Sequence, residues 1–176
     1  MELLIFWDSG APAGIQASFC RELAALLPVV PRLCENPLLV TGFRPDRRQT
    51  DASVLLDSLD IYRRRTGTCD LILLVVSEDL CREGDEFLFG LARPQTKNAV
   101  VSTSRLANAH YGLPPDEEEL FDRLVKEAAH EVGHLLSLAH CRCRECIMYN
   151  PLTLEDLTRQ KRWLCPACRK QVRTVQ

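Results

Sequence analysis

Short apolar runs alternate with segments of helical period along most of this chain. Leu3–Trp7 is apolar and β-prone, a first strand. Over residues 14–28, Ile15, Phe19, Leu23 and Leu27 recur every four positions, which predicts an amphipathic helix stopped by Pro28. Val29, Val30 and the residues beyond Pro31 form a second strand candidate. Asp51 is placed to cap a helix whose Leu55, Leu59 and Tyr62 share one face at i, i+4, i+7. Asp70–Ser77 is an almost unbroken aliphatic run, the pattern of a strand buried on both faces. Asp85–Ala92 and Asn98–Leu106 are further strand candidates. Pro114 and Pro115 interrupt the chain, and acidic residues crowd the next helix start, where the helix dipole favours them. From Glu117 to Leu136 the sets Leu120, Leu124, Ala128 and Phe121, Val125, Ala129, Val132, Leu136 keep helical period and define the longest helix. Beyond it the chain is short and cysteine-rich, with one helix expected near Leu154–Trp163. This alternation predicts an α+β fold built on a mixed α/β sheet.

A length of 176 residues with 46% hydrophobic content suits one compact domain with a small appendage, and a core that needs no disulfide staples. The net charge of -2 implies neither a nucleic-acid nor a membrane partner. The charge is uneven, however: from Cys141 onward eight Lys and Arg face three Asp and Glu. No run approaches the ~18 apolar residues of a membrane span. The opening MELLIFWDSG lacks a basic leader and reads as a strand, not a signal peptide. A cytoplasmic location is therefore expected, where disulfides are uncommon. Nine cysteines then suggest metal ligands or buried thiols, and the odd number fits poorly with full pairing. Cys20, Cys34, Cys69 and Cys81 are scattered, and core packing is the default for them.

Three of the four histidines fall in HEVGHLLSLAHCRCRECIM, residues 130–148. His130 and His134 are four apart on the predicted helix, so both imidazoles lie on one face and can grip one metal ion. Glu131 is about 100° further round, where its carboxylate can meet a water instead of the metal. This is the mechanical sense of H-E-x-x-H, two zinc ligands and a general base. His140 would be on the wrong face of a continuous helix, so the chain must break and fold back for it to become a third ligand. Three protein ligands leave the fourth position open, the mark of a catalytic zinc.

Cys141, Cys143 and Cys146 precede Cys165-Pro-Ala-Cys168. A four-thiolate structural zinc site can be drawn from them, with either Cys141 or Cys143 in the first half. The tail offers few apolar residues, so a metal would stand in for the core it lacks.

H-E-x-x-H-x-x-x-x-x-H followed directly by Cys, then C-x-M, then C-x-x-C, resembles the archaemetzincins. Here the pattern reads His130, Glu131, His134, His140, Cys141, Cys146, Met148, Cys165 and Cys168. The upstream segments FLFGLARP, AVVSTSRL and RRQTDASVLLDSL are also similar, less specifically. The resemblance implies a metzincin-like fold, with a mixed sheet and two long helices in an upper subdomain, residues 1–136. A small zinc-bound lower subdomain with the methionine turn, residues 137–176, would follow. It implies a zinc-dependent metallopeptidase, or aminopeptidase, acting on a peptide or protein. The substrate would lie along the edge strand, for which Asp85–Ala92 is the candidate. It implies two zinc ions per chain. His130, His134 and His140 would hold a catalytic one, with Glu131 as base. Cys141, Cys146, Cys165 and Cys168 would hold a structural one, and Met148 would pack beneath the site.

The wider metzincin pattern places Gly three residues before the third His, and this chain has Ser137. Serine in the left-handed conformation costs on the order of 1–2 kcal/mol, which zinc binding can offset, so the turn is expected to persist. Among smaller candidates, His110 reads as a solvated loop residue. Tyr149 reads as packing in the turn rather than as an oxyanion donor, Trp163 as packing in the tail, and Arg63–Arg65 as a solvated helix end. The contrasting reading is a zinc-organised, catalytically silent module whose basic tail contacts an acidic partner or nucleic acid. Glu131 separates the two, since a binding module has no need of a carboxyl beside its first ligand.

Overall fold

The structure is a computed structural model and describes residues 1–173. In chain order the elements are β1 (Glu2–Trp7), α1 (Gln16–Leu26), β2 (Val30–Glu35), β3 (Phe43–Arg44), β4 (Gln49–Asp51) and α2 (Ala52–Thr66). They continue with β5 (Leu71–Val76), β6 (Leu80–Cys81), β7 (Gly90–Arg93), β8 (Asn98–Ser102), α3 (Glu117–Leu135), α4 (Leu154–Arg159) and α5 (Pro166–Arg173). Five strands form the main sheet in the order β2-β1-β5-β8-β7. All neighbours run parallel except the edge strand β7, which is antiparallel to β8.

The aliphatic run of β5 is buried at every position because helices cover both faces of the sheet. Leu71, Leu73 and Val75 face Phe19 and Leu23 of α1 and Leu124 and Ala128 of α3. Ile72, Leu74 and Val76 face Leu55, Leu56 and Leu59 of α2. The alternation by two along β5 thus meets helical stripes of period 3.6 on either side. The Asp51 carboxylate caps α2 by accepting the Ser53 N–H at 2.9 Å, and Asp116 does the same for α3 through Glu119 N–H, also at 2.9 Å. The first core cluster runs on without a break from β1 through α3 into Cys146, Leu164 and Val172 of the tail. Among the described residues no helix is long and apolar enough to cross a membrane.

Several elements differ from the sequence pattern. The expected strand Asp85–Ala92 begins only at Gly90. The preceding residues are tied down by side chains instead. Arg47 donates to the carbonyls of Asp85 and Glu86, each at 2.7 Å, and Gln49 donates to Glu86 C=O at 3.1 Å. A second, three-stranded sheet, β3-β4-β6, carries these donors. The helix expected near Leu154–Trp163 stops at Arg159, because Gln160 turns extended (ψ 151°) and its amide donates to Tyr149 C=O at 2.7 Å. α5 forms where the cysteine-rich tail predicts no helix, and it carries Cys168. Arg63 is no solvated helix end: its guanidinium donates to the carbonyls of Thr68 (2.9 Å), Asp70 and Lys97 (3.2 Å) and to Asn98 Oδ1 (3.1 Å), fastening α2 to the sheet. Of the scattered cysteines only Cys81 is buried, Cys20 and Cys34 are half-buried, and Cys69 is exposed.

Candidate metal centre

α3 packs on β7 and β8, and every residue from Arg123 to Gly133 is buried. His130 and Glu131 are therefore held rigidly, at 4% and 6% exposure. His130 Nδ1 lies 2.8 Å from Ile147 C=O, and His134 Nδ1 lies 2.8 Å from Leu138 C=O. A carbonyl can only accept, so both Nδ1 atoms carry the proton and donate it. Each ring then turns an Nε2 lone pair outward. His134 Nε2 stands 3.0 Å from His130 Nε2 and 3.2 Å from His140 Nε2. Converging acceptors repel unless a cation lies among them, so the donor set fits a metal ion. Burial holds the His130 pKa down to about 4 and also lowers that of His134, which keeps both rings neutral as ligands must be.

The turn that returns His140 to the cluster ends α3. Ser137 is left-handed (φ 65°), its N–H donates to His134 C=O at 2.9 Å, and Leu138 N–H donates to Gly133 C=O at 3.0 Å. This is a Schellman motif with serine in the place glycine usually takes. The same turn points Leu138 C=O at His134 Nδ1, so one reversal both redirects the chain and orients a ring.

Met148 packs against α3 at Gly133. A Cβ at Gly133 would sit 2.4 Å from Met148 Sδ, so only glycine admits the methionine there. Met148 C=O accepts Cys141 N–H at 2.7 Å, and the neighbouring Ile147 C=O is the one that orients His130.

Glu131 opens on a cleft of about 510 Å³, whose walls include Phe87–Ala92 on one side and Asn150–Leu152 on the other, with all three histidines between. Beside it lies Glu127, one helical turn earlier and 4% exposed, its Oε2 buried without a hydrogen-bond partner. Burial raises the Glu127 carboxyl to about 7. Burial, then the neighbouring Glu127 charge, pushes Glu131 well above the ordinary carboxylate range, opposed by the Ala92 backbone N–H. Gly90 makes room for the pair: a Cβ there would meet Glu131 Cγ at 2.9 Å and Glu127 Oε1 at 3.1 Å.

The second cluster joins Cys141, Cys146, Cys165 and Cys168, with all four sulfurs within 4.8 Å of one another. Cys141 Sγ and Cys165 Sγ are 3.7 Å apart. Backbone amides point at the sulfurs: Cys143 N–H at Cys141 Sγ (3.4 Å) and Cys165 N–H at Cys146 Sγ (3.3 Å). The Cys168 N–H in the first turn of α5 is the main reason the Cys165 thiol falls to about 7, while burial raises Cys146 and Cys168. Amides aimed at several adjacent sulfurs favour thiolates, and clustered thiolates fit a cation. Cys143 stays outside the cluster and contributes its amide, which decides between it and Cys141 at the level of placement.

His110 sits in an exposed 3-10 turn against the Tyr111 ring and does not line the cleft. The Trp163 carbonyl accepts Ile147 N–H at 3.0 Å, tying the tail to the methionine turn. Sequence reading assigned no role to Glu127, whose one signal is its i, i+4 spacing to Glu131; Gly90, Arg47 and Gln49, which shape and pin the cleft wall, lie in segments marked there only for their similarity to the family.

Residues 45–174 match the family described as Peptidase family M54. An archaemetzincin from Thermococcus kodakarensis is 34% identical over 77% of this chain and 72% of its own length. One from Pyrococcus abyssi is 38% identical over 74% and 69%. Among solved structures, a zinc-dependent peptidase from Methanocorpusculum labreanum superposes with a TM-score of 0.91 at 38% identity, covering 97% of this chain and 99% of that one. The archaemetzincin of Methanopyrus kandleri superposes at 0.81 with 30% identity, over 99% and 94%. On these matches the chain belongs to peptidase family M54, the archaemetzincins.

Proposed function

We propose that this chain is a zinc metallopeptidase whose reaction is carried by Glu131 at the His130–His134–His140 centre. The observation that supports it is the convergence of three imidazole Nε2 atoms at the floor of an open cleft that also holds a buried carboxyl. Zinc bound there would supply a Lewis acid that polarises a peptide carbonyl and acidifies a water. Glu131 takes the proton from that water and hands it to the departing amine. Burial raises its pKa, which favours holding the proton between the two transfers.

β7 provides the docking edge. Its neighbour in the sheet is β8 alone, and Ser102 N–H bonds Phe89 C=O at 2.9 Å. Alternate residues of an antiparallel pair exchange hydrogen bonds, so Gly90 and Ala92 turn their backbone groups to the free edge. An extended peptide can pair with that edge while its scissile bond crosses the histidines. Residues 1–136 then form the wall with the sheet, and the described residues from 137 on form the opposing wall through Asn150–Leu152. A second zinc on Cys141, Cys146, Cys165 and Cys168 holds that opposing wall, and Met148 supports the floor.

The test is cleavage of a peptide library by the zinc-loaded chain, with metal analysis. Two zinc ions per chain are expected, and Glu131→Gln should abolish turnover while keeping both. Cleavage surviving Glu131→Gln would sink the mechanism, and one zinc per chain would remove the second site. The same library reads whether cuts fall inside peptides or release amino-terminal residues.

A further inference from the structure

Asp85–Phe89 is the part of the cleft wall directly upstream of β7, and the main sheet does not satisfy its backbone. β8 ends at Ser102, whose N–H bonds Phe89 C=O, and Thr103 N–H already turns away to Val76 C=O at 3.0 Å. Backbone groups upstream of Phe89 need other partners. Leu88 N–H donates to Leu80 C=O of β6 at 2.9 Å. The carbonyls of Asp85 and Glu86 are taken by a side chain, since Arg47 Nη2 donates to both, each at 2.7 Å. Arg47 is itself held. Its Nε donates to Gln49 Oε1 at 2.9 Å, and Gln49, 5% exposed, donates through Nε2 to Glu86 C=O (3.1 Å) and Asp79 Oδ2 (3.2 Å). Asp79 accepts from Arg105 Nε at 2.6 Å and Nη2 at 2.8 Å, and the Arg105 guanidinium lies over the Phe87 ring, 4.4 Å from its centroid. One chain of polar contacts thus grips the wall by two carbonyls and a ring. Arg47, Gln49, Asp79 and Arg105 all act from behind it, and none of them lines the cleft.

The geometry points to Arg47 as a positioning residue for the substrate: by holding Asp85 and Glu86 it ends the pairing edge at Gly90 and fixes the line along which an extended peptide docks. The inference rests on the reading of β7 as the docking edge. Without Arg47, Asp85 C=O loses this donor and Glu86 C=O keeps that of Gln49. The wall is then free to shift, and the peptide that pairs beside it loses a fixed register. The three histidines and Glu131 lie on α3 and the turn after it, which Arg47 does not touch. The loss therefore falls on binding shared by substrate and transition state, which raises KM and leaves kcat in place. Lysine is no equivalent, because a single ammonium cannot reproduce the planar fork that serves Gln49 and two carbonyls together.

The experiment uses zinc-loaded full chains and one quenched fluorescent peptide taken from the library screen, together with the same peptide N-methylated at one backbone amide at a time. N-methylation removes a donor, so in the parent it should raise KM wherever that amide pairs with β7. Arg47→Ala should raise KM for the unmodified peptide by about tenfold, the worth of one or two hydrogen bonds. Its kcat should stay within about twofold, its zinc content should not change, and the N-methyl penalties should shrink to less than about twofold. Arg47→Lys should raise KM by about threefold, and it carries the test if the alanine variant does not fold. A merely structural role would lower the folded fraction, and with it kcat, and would leave the penalties in place. Parent-like KM in the variant that carries the test overturns the inference, as does a loss confined to kcat or a rise in KM with the penalties intact. A parent with no N-methyl penalty at any position would instead strike the reading of β7 as the docking edge, so the two failures are distinguishable.

Discussion

The histidine and cysteine clusters share a single stretch of chain, yet they are built in opposite ways. The imidazoles are oriented by carbonyl oxygens that accept their N–H groups, and access increases along the set: His130 is buried, His134 half-buried and His140 exposed. The thiols are oriented by amides that donate to them, three of the four are buried, and the sulfurs face one another. The first arrangement leaves a ligand position facing a cleft, and the second closes around its centre. An open site suits chemistry and a closed one suits folding. What joins them is backbone. Cys141 follows His140 directly, Cys146 precedes Ile147, and Ile147 C=O holds His130.

The comparison breaks most visibly if the closed site is removed. Structural zinc sites carry apparent binding free energies of about 10 kcal/mol or more, to be weighed here against the apolar core that the tail shares with α3. Cys168→Ala should release one metal ion per chain and raise hydrogen exchange across 141–173, leaving β1, β5 and β8 protected. Because Ile147 is anchored beside Cys146, occupancy of the histidine site should fall as well. A tail that stays protected without its metal would show that apolar packing by Leu157, Leu164 and Val172 suffices.

Removing a ligand from the open site should do the converse. His134→Ala is expected to weaken the metal there by more than about 10²-fold, since even altering an outer partner of a ligand costs 10–100-fold. The thermal midpoint of the metal-free protein should hardly move, because His134 is only half-buried. A large drop in that midpoint would mean the histidines serve the fold as much as the cysteines do.

Gly133→Ala probes the floor that both sites rest on. The added methyl meets Met148 Sδ at 2.4 Å, so Met148 must move. Overpacking of this kind costs about 1–3 kcal/mol. Met148 C=O accepts from Cys141, so the displacement should weaken metal binding at both clusters together. Measured by competitive chelation, loss at one cluster alone would show that the floor is not shared.

Much of this was legible before any coordinates. The spacing of His130 and His134 works because a helix turns 100° per residue, and Glu117–Leu135 is long, capped by Asp116 and strongly periodic. β5 was legible because an aliphatic run that long has no other place than between two layers. What stayed hidden depended on distant partners. β3, β4 and β6 are two or three residues long, too short to show a period, and exist through one another's hydrogen bonds. Asp85–Phe89 looked like a strand because it is apolar and aromatic, yet Arg47 and Gln49, nearly forty residues upstream, hold it as a loop. Arg63 sits in a triple-arginine run whose other members are exposed, and nothing local marks it as the one that turns inward.

The smallest expected effect lies at the joint between the two sites. Ser137 is left-handed at φ 65°, where a Cβ costs on the order of 1 kcal/mol. The side chain is exposed and the turn's hydrogen bonds come from backbone alone, so glycine loses no contact that holds the turn. Glycine also loosens the unfolded chain, which offsets part of the gain. Ser137→Gly should therefore stabilise the protein by at most about 1 kcal/mol and keep or raise zinc affinity at the histidines. Denaturant unfolding and competitive chelation measure the two quantities separately. A large loss of zinc affinity would mean that the serine hydroxyl takes part in aiming His140, a role the geometry of the turn does not assign to it.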